Sequence, residues 1–391
     1  MSKFDELVDR RGSGSIKWAV KENELPMWVA DMDFKAPECV QEALKRRVEH
    51  GVFGYCEPDD AWRNAYVSFY HDLYGWNINP EDLIFCLGVV ATCSSSVRAL
   101  TEVGDQVVVM TPVYNIFFNS IVNSHRIPVE VPLFFDGGSY SLDFEGIEKA
   151  FADPKTKLCI FCNPHNPVGK IYTKEELLRL ASLARKYGVI ILSDEIHGPV
   201  HIPGKPYVPF LSIEGVEDVV YAAFSPTKAF NLAGIHTSAI VIPNHEIRKK
   251  VERQINTDEV AEPNVFSCVA STAALNEGRE WLCELQSYIA SNRAYASKFI
   301  CEEIPALHVI EGDATYLLWV NAREVCGDGK EFAGFLREKT GLFVSAGEAY
   351  GKGGEGFLRI NLAAPLERVK DGLSRLKEGT MLFLKNHGKR C

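Results

Sequence analysis

Seven short apolar runs, at residues 83–87, 106–110, 127–131, 158–162, 189–193, 219–224 and 237–242, punctuate the middle of the chain, with helix-patterned stretches between them. The runs are continuous rather than alternating, so a strand made from one is apolar on both faces and has to be covered on both. Strands lying parallel also need a crossover of a dozen or more residues, which the intervening stretches supply. The stretch 173–187 is one such crossover: Thr173 and Glu176 form a capping box and Gly188 ends the helix. The expected fold class is therefore α/β, with a mostly parallel seven-stranded sheet covered by helices.

Outside this region the pattern changes. Residues 39–50 have Val40, Ala43, Leu44 and Val48 at helical spacing, closed by Gly51. A second helix carries Trp62, Tyr66, Phe69 and Leu73 on one side, a stripe that reads as core. After residue 242 two or three long helices run to about residue 300. A smaller α+β region follows, with strands expected at 308–310, 315–320, 342–344 and 357–362, and helices at 331–339 and 366–386. A chain of 391 residues exceeds one ordinary core. We expect a large domain over 46–279 and a small, discontinuous one formed by 1–45 with 280–391.

The net charge of −10 argues against nucleic acid, which needs a basic face. The charged N-terminus does not read as a signal peptide, and no apolar run reaches the ~18 residues of a membrane helix. Eleven cysteines without a framework suit reduced thiols and a cytoplasmic setting. Cys159 and Cys162 match C-x-x-C, but on a strand they point to opposite faces, so we read them as core. No metal site is expected.

In an open α/β sheet ligands bind beyond the carboxyl ends of the strands, and the chemically useful residues follow the runs. Gly88 opens a helix whose first N–H groups, at Val90 and Ala91, are free to hold a phosphate. Tyr114 brings a ring, or is a core tyrosine. Asn163-Pro-His-Asn166-Pro fixes a loop that aims an amide inward. Asp194, ending a buried strand, needs a cation, either a protonated pyridine nitrogen or a structural arginine. Lys228, in Ser225-Pro-Thr-Lys228, follows a strand at once, where burial favours the free amine that a Schiff-base nucleophile requires. Taken alone it favours a surface-loop lysine. Together the set answers the binding demands of pyridoxal 5′-phosphate (PLP).

The order Gly88, Tyr114, Asn166, Asp194, Ser225-x-x-Lys228, Arg359 resembles the fold-type I PLP enzymes of the class I/II aminotransferase family over nearly the whole chain. Trp28-Val-Ala-Asp-Met-Asp-Phe34, Phe53-Gly-Tyr55, Ser193-Asp-Glu-Ile-His197 and Phe230-Asn-Leu-Ala-Gly234 resemble its cystathionine β-lyase-like C–S lyase branch. The resemblance implies that Lys228 anchors PLP and moves the Cα proton. By the same resemblance Asp194 pairs with the ring nitrogen, Asn166 bonds the ring oxygen, and Tyr114 stacks on the ring. It gives the phosphate to Val90, Ala91 and Ser225, with Tyr55 reaching in from the other subunit of a homodimer. Arg359 then holds the substrate carboxylate, with Ala30, Tyr114 and Asn166 completing its pocket. His236 stands where the wider family has a phosphate-binding arginine, and His197 where many members have a tyrosine near the ring oxygen. The implied reaction is α,β-elimination of cystathionine or another cysteine S-conjugate to a thiol, pyruvate and ammonia. The alternatives are an amino acid aminotransferase and a PLP-bound regulatory protein.

Overall fold

The computed structural model describes residues 2–387. All seven apolar runs are strands of one sheet: β1 (Leu83–Cys86), β2 (Gln106–Thr111), β3 (Ile127–Pro132), β4 (Thr156–Cys162), β5 (Ile190–Asp194), β6 (Val220–Phe224) and β7 (Ser238–Val241). Their order across the sheet is β1-β7-β6-β5-β4-β2-β3. β7 runs antiparallel to both its neighbours and every other pairing is parallel. The central strands β4, β5 and β6 are almost wholly buried, which is why their sequences are apolar throughout. Cys159 and Cys162 lie buried on β4, one in the core on each face of the sheet.

The helices begin and end where local chemistry dictates. α1 (Glu38–His50) and α2 (Asp60–Tyr74) precede the sheet; each ends on a left-handed glycine, Gly51 and Gly75. α3 (Val89–Leu100) starts at Gly88. α4 (Ile116–Val122), α5 (Phe144–Phe151) and α6 (Lys174–Tyr187) cross between strands. Both hydrogen bonds of the Thr173–Glu176 capping box are formed on α6. After the sheet come α7 (His245–Thr257), α8 (Ser267–Glu277) and the long α9 (Arg279–Glu303).

Beyond α9 a four-stranded antiparallel sheet forms from β8 (His308–Ile310), β9 (Leu317–Asn321), β10 (Ser345–Ala346) and β11 (Phe357–Asn361), ordered β8-β9-β11-β10. α10 (Gly329–Thr340) and α11 (Leu366–His387) pack together against it. β10 has two residues, too few for a periodic signal, and the sequence reading lacks it. Residues 342–343 pair in parallel with Leu25–Pro26, over three hundred positions earlier, so the N-terminal segment threads between the two sheets.

Candidate active site

The register of the large sheet puts Cys162, Asp194 and Ala223 side by side at its carboxyl edge. The loops leaving that edge, with segments from the smaller sheet, enclose a cleft of about 790 Å³. Ala30, Gly88, Val90, Tyr114, Asn166, Asp194, His197, Ser225, Lys228 and Arg359 all line it.

Asp194 ends β5 and is buried. Its carboxylate accepts one hydrogen bond, from the Ile196 N–H at 3.0 Å. Burial pushes its pKa up to about 7, against the pull of that N–H and of Lys228. Lys228 follows β6, and its Nζ donates to the Ala30 carbonyl at 2.6 Å. Burial, followed by the Arg359 charge, pushes the amine down to about 8 although Asp31 and Asp194 oppose the shift. His197 is pushed down to about 3, by burial first and then by Lys228 and Arg359, so its ring is neutral near pH 7. Its Nδ1 is buried without a hydrogen-bond partner among the described residues.

Arg359 is buried on β11. One Nη donates to Asn166 Oδ1 at 3.3 Å, the other to the Trp28 carbonyl at 2.9 Å, and the guanidinium lies 4.8 Å from the Tyr350 ring centroid. Among the described residues no carboxylate pairs with it, and its Nε has no partner. A buried guanidinium left this way is a seat for an anionic ligand.

The phosphate seat also has its parts. Val89, Val90 and Ala91 precede the first intrahelical bond of α3, from Thr92 N–H to the Gly88 carbonyl, so their N–H groups have no partner within the helix. A Cβ on Gly88 would meet nothing within 4 Å, so the space above the helix start is open. The Ser225 hydroxyl is tied to the Thr237 carbonyl at 2.6 Å and to Thr227 Oγ1 at 2.8 Å. Tyr114 stands edge-on to Phe117, and burial lifts its phenol to about 12.

Two expected residues stand apart. The Ala91 side chain does not line the cleft and packs behind it on the core around β1 and β2. Tyr55 lies on a coil outside the cleft and is fully exposed in this chain.

The sequence reading missed the groups that hold Ala30. Tyr316 donates to the same carbonyl at 2.9 Å. Asn361 donates to the Val29 and Asp31 carbonyls, both at 2.6 Å, and Asn231 bonds Met32 through its N–H and its carbonyl. Asn361 sits two residues from Arg359 on β11 and so shares its face, the one signal that could have marked it. Tyr316 had none.

The site fits PLP on its own terms. Among the described residues a buried carboxylate lacks a paired cation, a half-buried amine is partly neutral, an arginine lacks an anion, and a helix start opens into the cleft. A sequence profile described as Aminotransferase class I and II matches residues 23–376. The chain belongs to that family. It is 39% identical to cystathionine beta-lyase PatB of Bacillus subtilis, over 96% of this chain and 98% of that protein. Among solved structures, cystalysin from Treponema denticola, which contains a pyridoxal 5′-phosphate cofactor, superposes with a TM-score of 0.94 at 32% identity, covering 97% of this chain and 99% of that one. The PLP-bound C-S lyase from Staphylococcus hominis gives 0.90 at 31%, covering 97% and 98%. The fold is fold-type I and the cofactor is PLP.

Proposed function

We propose that the chain is a PLP-dependent C–S β-lyase that cleaves cystathionine or a related cysteine S-conjugate. The supporting observation is the gathering of Lys228, Asp194 and Arg359 in one cleft, in a chain similar throughout its length to a cystathionine β-lyase. When bound, PLP supplies the electron sink that takes up the negative charge left at Cα.

The chain's own residues supply the rest. Arg359 seats the substrate carboxylate with its two-pronged fork, beside Asn166 and the Ala30 backbone. Lys228 anchors the cofactor and, once freed, takes the Cα proton on Nζ; its depressed pKa keeps part of it neutral near pH 7. Such positioned proton transfer contributes ~10²–10⁴-fold. With PLP bound, Asp194 would hold a proton at the ring nitrogen, Asn166 would donate to the ring oxygen, and Tyr114 would stack on the ring. The neutral His197 sits close by without adding charge. Val90 and Ala91, through their free N–H groups, and Ser225 would hold the phosphate.

A homodimer in which Tyr55 enters the other subunit's site belongs to this proposal and suits its full exposure here. So do a cytoplasmic setting and the division into 46–279 and 1–45 with 280–391. Among the described residues no helix is long and apolar enough to cross a membrane.

Incubating PLP-loaded protein with cystathionine and no keto acid tests the reaction. We expect thiol, pyruvate and ammonia. If these are absent and turnover appears only on adding 2-oxoglutarate, the protein is an aminotransferase.

A further inference from the structure

The cleft continues past the reacting residues. Lys330, Ala333, Gly334 and Arg337 of α10 all line it, and spacings of three and four place them on one helix face. Trp28 and Phe343, also lining it, are stacked 4.8 Å apart with their planes at 17°. The Arg337 guanidinium covers the Phe343 ring at 3.7 Å, and Glu24 neutralises it through bonds of 2.8 and 3.0 Å. The Arg337 charge is therefore already spent on a partner, Lys330 is exposed to solvent, and the surface beside them is aromatic. Trp28 ties the arm to the reacting centre, because its carbonyl accepts from Arg359. At about 790 Å³ the whole cleft lies toward the roomy end of small-molecule sites, which span roughly 300–1,000 Å³.

Gly334 is an exposed position on this helix face. A Cβ placed there meets nothing within 4 Å, so a larger side chain would project into free space without displacing the fold. A glycine inside a helix costs about 0.5–1 kcal/mol relative to alanine, so local helix stability gives no reason for it.

The geometry points to an arm for an apolar sulfur substituent: the preferred substrates are cysteine S-conjugates whose leaving thiol is aryl or branched alkyl, and Gly334 determines that preference. The inference rests on the β-lyase reading. In the reaction the Cβ–S bond breaks, sulfur keeps the electron pair and takes a proton to become the thiol. The three-carbon remainder takes up water and departs as pyruvate and ammonium, with no external oxidant or reductant.

The test compares PLP-loaded wild type, Gly334→Ala and Gly334→Leu on S-methyl-L-cysteine and S-benzyl-L-cysteine. Gly334→Leu should lower kcat/KM for the benzyl conjugate by about 100-fold and leave the methyl conjugate within about threefold, while Gly334→Ala changes neither by more than that. Calorimetric binding of norvaline and 2-amino-5-phenylpentanoate, which have no sulfur to eliminate, supplies a readout independent of turnover. Gly334→Leu should weaken the phenyl compound at least about tenfold and spare norvaline. Equal losses for both members of either pair, or no loss for either, overturn the arm. Discrimination between the two analogues without turnover of either conjugate would sink the lyase reading and leave the arm standing.

Discussion

Lys228 Nζ donates to the carbonyl of Ala30, a residue 198 positions earlier, at 2.6 Å. That carbonyl is one of five in a row that accept from side chains: Trp28 from Arg359, Val29 from Asn361, Ala30 from Lys228 and Tyr316, Asp31 from Asn361, and Met32 from Asn231 and Arg10. Behind the segment, Asp33 is buried against Lys17 at 3.2 Å, Arg10 at 2.8 Å and the Trp18 indole N–H at 2.9 Å. The amine is thus held by a braced backbone carbonyl, while the Asp194 charge opposes the fall in its pKa.

Replacing Lys228 with alanine removes the Schiff-base anchor and the proton carrier together. Lys228→Ala should lose the cofactor's lysine-linked absorbance and β-elimination, with activity falling at least ~10²–10⁴-fold. Circular dichroism should be unchanged. A variant that still links PLP covalently would mean that another lysine is the anchor.

Asp194 and pH are coupled. Its folded pKa, about 7, lies above the ordinary carboxylate value, so between pH 4 and 7 the folded, cofactor-free protein binds more protons than the unfolded chain. The stability this contributes is present at low pH and is lost as pH rises through 7. Without PLP, Asp194→Asn should therefore grow more stable than wild type across that window, by at most a few kcal/mol. With PLP the order should reverse, because asparagine cannot pair with a protonated ring nitrogen. Thermal melts at pH 4.5 and 7.5, with and without PLP, read both signs.

Arg359 should be probed with two variants. Arg359→Ala removes a charge-assisted pair of about 1.5–3 kcal/mol, or roughly 10- to 150-fold in kcat/KM. Arg359→Lys keeps the charge but loses the fork that reaches both Asn166 and the Trp28 carbonyl, so it should recover only part of that loss. Full recovery in steady-state kinetics would show that charge alone suffices.

Asp33→Ala leaves Lys17 and Arg10 facing each other without the more buried of their two carboxylates. Burial pushes the Asp33 carboxyl up, but Lys17, Trp18, Arg10 and Arg368 together hold it below the usual carboxylate range. Breaking such a buried group costs about 3–5 kcal/mol. We expect a lower urea midpoint, and a fall in kcat as the Ala30 carbonyl loosens against Lys228. An unchanged midpoint would mean that the segment is braced by its side-chain bonds alone.

The sheet, its helical crossovers and most helix ends were legible in the residues, because a doubly buried strand must be apolar throughout and a cap needs particular side chains within four positions. Lys228 and Asp194 stood out for a related reason, as costly polar groups at the ends of apolar runs, whereas Asn166 stood out by its two Asn-Pro turns and Arg359 only through the family resemblance. Neither argument reaches across the chain. Tyr316, Asn231 and Asn361 converge on residues 29–32 only once both sheets have formed. Gly334 becomes meaningful only when α10 turns that face to the cleft. The backbone carbonyls of 28–32 carry no mark in a sequence at all, since every residue has one. The sequence determined the strands and brought forward the side chains proposed for the chemistry; the tertiary structure alone decided which backbone atoms those side chains hold, because such contacts are set by packing between segments up to three hundred residues apart.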